Sequence, residues 1–123
     1  KMKHAIEMRT IVILISLFYA SLLPADTPSV VDYQKRSDEN KFDSYIYGLS
    51  SGMDWLNEQI YTSHSIEVYC KPRDLDLSAK DLKRLIDSEL IDNKSFYDKY
   101  NYAPLLGLAL RNAYLSNFPC AAN

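Results

Sequence analysis

The sequence predicts a small all-α domain: a helical bundle with a buried C-terminal helix and one disulfide. Three observations carry that expectation. Apolar residues recur at steps of three and four from Phe42 to Ile60, and again, more narrowly, from Leu82 to Leu90. The segment from Leu105 to Leu115 is apolar on nearly every side, as buried helices are. No stretch sustains the period-two alternation of a half-buried strand. The chain has 123 residues, 47% of them hydrophobic and 24% charged, which suits one small domain.

Ile11 to Leu23 is an uncharged run of 13 residues, short of the roughly 20 a membrane-crossing helix needs. Arg9 precedes it and Leu23-Pro24-Ala25 follows, the order of a secretory signal peptide over residues 1–25. The competing reading is an uncleaved anchor. Cleavage is expected after Ala25, with Ala20 as second choice, and the initiator is expected at Met2 or Met8. No cysteine stands at the exit, which argues against a lipoprotein. Export to the periplasm follows, with no stable membrane insertion after cleavage.

Residues 26–37 lack periodicity and read as a flexible leader; residues 38–123 form the domain. Ser37 or Asp38 offers an N-cap, and Asp38 and Glu39 favour the positive end of a helix. Phe42, Tyr45, Ile46, Leu49, Met53, Leu56 and Ile60 then form the apolar face of an amphipathic helix of about 24 residues. Gly48 and Gly52 lie four apart within it, each costing up to about 1 kcal/mol relative to alanine. One reading is close packing of a helix or ring against bare backbone; the other is a homodimer contact.

Residues 62–77 read as a loop. Ser78 with Asp81 has capping-box spacing, and Leu82, Leu85, Ile86 and Leu90 make the next apolar stripe, ending near Asp92-Asn93. Ser95 to Tyr102 reads as a Tyr-rich turn or short helix. Pro104 suits the first turn of the last helix, which Phe118-Pro119 stops.

Without residues 1–25 the chain carries 11 basic and 15 acidic residues, a net charge of −4, so no basic surface is offered to nucleic acid. Cys70 and Cys120 both lie in the exported part, and a domain of about 98 residues gains from a covalent staple, so a single disulfide is expected. The rival reading makes Cys70 a catalytic thiol with His64 as its base. His64 is the one histidine left, which is too few for a serine triad or a metal centre. Asp74/Asp76, Asp54/Glu58 and Asp87/Glu89 could each serve as a carboxylate pair, but each also fits a solvated face. Three glycines build no phosphate loop. The expectation is no enzyme, no cofactor and no metal.

Protein binding is better supported. There are ten tyrosines, and tyrosine brings large contact area at small rotamer cost. The contact region is placed at Asp92, Asn93, Lys94, Tyr97, Asp98, Tyr100 and Tyr102. Asn93-Lys94-Ser95 is also formally a glycosylation sequon, relevant to a eukaryotic secretory route alone.

Tyr47-Gly48 through Gly52-Met53-Asp54-Trp55, then Tyr69-Cys70-Lys71-Pro72, Ala109-Leu110 and Phe118-Pro119-Cys120, give the chain a familiar outline. It resembles the small periplasmic immunity proteins of type VI secretion, the Rap/Tai type, over roughly residues 42–121. The resemblance implies a helical domain with Cys70 joined to Cys120, and a partner: a cognate peptidoglycan amidase effector whose cleft the protein occludes. It also implies that a homodimer is one form such proteins take. The matching positions are structural and carry over no toxin contact. The alternative expectation is a periplasmic stress-protective or chaperone-like helical protein.

Overall fold

The computed structural model describes residues 27–37 and 39–121; the expected signal peptide lies outside the described residues. These residues form five α-helices: α1 (Val30–Lys35), α2 (Asp43–His64), α3 (Ala79–Asp92), α4 (Lys94–Lys99) and α5 (Leu106–Asn117). A 3-10 turn, Asn40–Phe42, leads into α2. No strand occurs among the described residues, and no described helix is long and apolar enough to cross a membrane.

The flexible leader is corrected first: much of it is α1, and it is part of the core. Ser29 and Asp32 close a capping box at its start. The Val30 and Val31 amides, which have no partner inside the helix, donate to the carbonyls of Ala103 (3.2 Å) and Asn101 (2.9 Å). Val30 and Tyr33 are fully buried, and the Tyr33 hydroxyl donates to Asp87 of α3 at 2.8 Å. Six residues show no helical periodicity, yet two large side chains on one face anchor them.

Nor does α2 begin on a Ser37 cap. Phe42 stands at its N-cap without a side-chain bond, after a 3-10 turn headed by Glu39. Its inward face carries Ile46, with Leu49 and Met53 packed beside it, as the spacing predicts. Leu56, expected on that face, is exposed, and Asn57 takes the inward position instead. At this turn α2 meets the backbone of a loop, which rewards an amide rather than a methyl. Ser65 ends the helix at φ 56°, where its amide donates to the Tyr61 carbonyl.

The second helix predicted from sequence is α3, and its capping box forms. The Asp81 amide donates to Ser78 Oγ at 3.2 Å, and the Ser78 amide donates to Asp81 Oδ2 at 3.0 Å. Its Leu82, Ile86 and Leu90 meet Leu106, Ala109, Leu110 and Tyr114 of α5 in the core. The last helix is the central element, packed chiefly on α3 and also on α2. Cys70 and Cys120 are disulfide-bonded with their Cα atoms 4.9 Å apart, fastening the chain beyond α5 to the loop after α2.

Candidate functional site

Residues 65–78 run from the end of α2 to α3 as an extended loop, and α2 holds them to itself. Asn57 makes the central fastening. Its Oδ1 accepts from the Val68 amide at 2.7 Å, and its Nδ2 donates to the Tyr69 carbonyl at 3.0 Å. One planar amide thus satisfies a donor and an acceptor of the loop backbone. Next along, the Cys70 amide donates to the Phe118 carbonyl at 2.8 Å, so the disulfide sits beside a backbone tie.

Tyr69 turns inward against Tyr114 of α5, ring centres 5.0 Å apart, and Tyr114 meets Phe118 at 5.7 Å. The Tyr69 hydroxyl donates to Asp54 Oδ1 at 3.0 Å, while Asp54 Oδ2 pairs with Lys71 at 3.0 Å. Burial first, then the Asp54 carboxylate, hold the Tyr69 phenol far above its ordinary ionisation range. Lys71 also donates to the Leu75 carbonyl at 3.1 Å, and Arg73 pairs with Glu58 at 3.2 Å. On α5, Tyr114 shares a 2.7 Å hydrogen bond with Ser50 of α2. Burial again raises its phenol, and the Ser50 bond works against that rise.

Between this pinned loop and the outer side of α2 lies a groove of about 520 Å³, lined in part by Tyr47, Ser51, Asp54, Trp55, Tyr69 and Lys71. Trp55 is 74% exposed. At 3.6 residues per turn, positions 48, 52, 55 and 59 fall on one line of α2. Gly48 and Gly52 therefore flank the indole on an open face. A Cβ at either glycine would meet nothing within 4 Å, so the expected packing of a helix or ring on bare backbone does not occur among the described residues. The glycines instead leave a smooth strip of backbone beside a bare tryptophan. A lone tryptophan three residues after Gly52, on the polar side of a strong amphipathic helix, was the signal for this surface.

The contact region predicted around α4 divides. Asp92, Lys94, Asp98, Tyr100 and Tyr102 are exposed, with Lys94 paired to Asp98 and Tyr102 82% exposed. Tyr97 is corrected: it is 1% exposed and belongs to the core. Its hydroxyl donates to Glu89 Oε1 at 3.0 Å, and that oxygen also accepts from Asn93 at 3.1 Å and Asn112 at 3.2 Å. Asn93 thus has its side chain tied back to α3. A buried carboxylate needs such donors, and the tyrosine inside the predicted patch is one of them. Burial and Glu89 push the Tyr97 phenol up to about 12.

Four of the six carboxylates weighed for catalysis have other occupations. Asp54 and Glu58 are ion-paired, Asp87 accepts from Tyr33, and Glu89 accepts from three donors. Cys70 is in the disulfide, so the thiol required by the Cys70–His64 reading does not exist. Glu67, Cys70 and Cys120 cluster closely, but two bonded sulfurs supply no thiolates to a metal. No protein-family model, curated protein or solved structure matches the chain.

Proposed function

We propose that this protein acts by binding another protein: a periplasmic immunity protein that occludes the cleft of a peptidoglycan amidase delivered by type VI secretion, and so protects the producing cell. The observation that carries the binding reading is the outer face of α2, where an exposed tryptophan stands between open glycine backbone and a groove of about 520 Å³. Tryptophan is the residue most often found at the energetic centre of protein interfaces. Smooth backbone beside it admits close approach, and the loop opposite is fixed by Asn57 and the disulfide. A preordered surface loses little freedom on binding, which favours tight association. The choice of an amidase rests on the resemblance of Gly48–Trp55, Tyr69–Pro72 and Phe118–Cys120 to the Rap/Tai type.

The test is capture followed by inhibition. Oxidised protein should retain one stoichiometric partner from periplasm, a small amidase, and abolish its hydrolysis of peptidoglycan with a dissociation constant near nanomolar, about −12 kcal/mol. Trp55→Ala should weaken that complex by about 2 kcal/mol, roughly thirtyfold, with the fold unchanged. Capture of many proteins at substoichiometric amounts, with no inhibition, would replace this reading by the chaperone-like one.

A further inference from the structure

The groove beside α2 holds more negative charge than it neutralises. Asp54, Glu58, Glu67 and Asp76 line it, against Lys71 and Arg73. Lys71 is engaged by Asp54 and Arg73 by Glu58, whereas Glu67 and Asp76 have no ion pair among the described residues. Two unmatched carboxylates therefore share the groove with the exposed rings of Trp55 and Tyr47.

The molecule already shows what such a combination holds. The Arg73 guanidinium lies 4.9 Å from the centre of the Tyr61 ring while it pairs with Glu58. An aromatic face and a carboxylate together cradle a planar cation, by quadrupole attraction and charge. The same two elements recur nearer the middle of α2, at Trp55, but no cation of the described residues lies over that indole. The α4 patch differs, for Lys99 already covers Tyr100 and Lys94 already meets Asp98.

Building on the binding reading above, we infer that the groove receives a basic segment of the partner protein, with an arginine stacking on Trp55 and pairing with Glu67 and Asp76. Arginine suits the site better than lysine because its flat guanidinium stacks and donates hydrogen bonds at once. A space of about 520 Å³ takes a few side chains, so the occupant is a protruding loop rather than a flat surface. The net charge of −4 over residues 26–123 draws the same kind of partner from a distance.

The probe is an acetylated tri-arginine amide titrated into the oxidised, isotope-labelled protein, with the uncharged tri-citrulline analogue as control. The arginine peptide should shift the Trp55 indole N–H and the backbone amides of residues 67–77, and citrulline should leave them in place. The double variant Glu67→Gln, Asp76→Asn should lower the apparent affinity at least about fivefold, and salt near 0.2 M should do likewise. Asp76 is exposed and Glu67 half-buried beside the disulfide, so an unaltered spectrum elsewhere is the report of an intact fold. Silence at Trp55, an equal response to citrulline, shifts confined to α4, or unchanged affinity in the double variant would each overturn the inference. Amidase inhibition with silence at Trp55 would leave occlusion standing and remove the arginine site. A Trp55 response without amidase inhibition would do the reverse.

Discussion

Asn57 shows how much one side chain can settle. Its amide is buried and bonds the loop backbone in both directions, so Asn57→Ala would strand the Val68 amide and the Tyr69 carbonyl together. Unmade hydrogen bonds at buried groups are expensive, and the expected loss is about 3 kcal/mol in urea unfolding. The variant should also blur the amide signals of residues 66–71, because its effect begins in the loop. Tyr97 makes a second residue-scale case, and its sign follows from linkage. Its pKa is raised from 10.0 to about 12 by burial and by Glu89, so the neutral phenol stabilises the fold fully below pH 10. That stabilisation disappears as pH climbs from 10 toward 12. Absorbance titration should therefore show Tyr97 ionising only as the helical circular dichroism collapses. Tyr97→Phe should shrink the late step by one phenol, leaving those of Tyr33, Tyr69 and Tyr114, and destabilise the protein at neutral pH by about 1–3 kcal/mol, since Glu89 loses a donor.

Among the elements, α1 is the one that sequence patterning passed over. A six-residue helix is shorter than any window in which a 3.6 period can be recognised, so residues 30–35 looked featureless. The signal was nonetheless present, since Ser29-x-x-Asp32 repeats the spacing of Ser78-x-x-Asp81, which correctly marked the start of α3. The long helices were legible because α2 and α3 each carry an apolar stripe and α5 is apolar almost all round, and these surfaces meet one another. Asn57 was not, because its partner is backbone, and no side-chain pattern announces a backbone neighbour. Tyr33 tests the standing of α1. Removing its ring leaves a cavity in the core and frees Asp87, so Tyr33→Ala should cost roughly 3–5 kcal/mol and lower the melting temperature sharply. A true leader would tolerate that change without any shift.

For the molecule as a whole, the disulfide is the feature most plainly legible in the sequence, since the chain holds two cysteines and so one pairing. It closes a separation of 50 residues, worth about 4 kcal/mol in the chain-entropy account. Replacing both cysteines by alanine should lower the unfolding free energy by about that amount. Asn57 and the Cys70–Phe118 backbone bond would still hold the loop, so the helical spectrum should persist at low temperature. The candidate surface was far less legible than the fold. Periodicity tells which side of α2 is wet but not that a loop rises beside it, and so the groove at Trp55 needed the tertiary structure.

The seating of α1 has a further consequence, for the order of assembly. Its amides and its tyrosine are received by residues 83–103, and the Tyr33–Asp87 bond spans 54 positions. During synthesis, α1 therefore emerges long before its receptor does. Nascent chains halted before residue 100 should leave Tyr33 open to protease, and closure of the bundle should wait for the final third of the polypeptide.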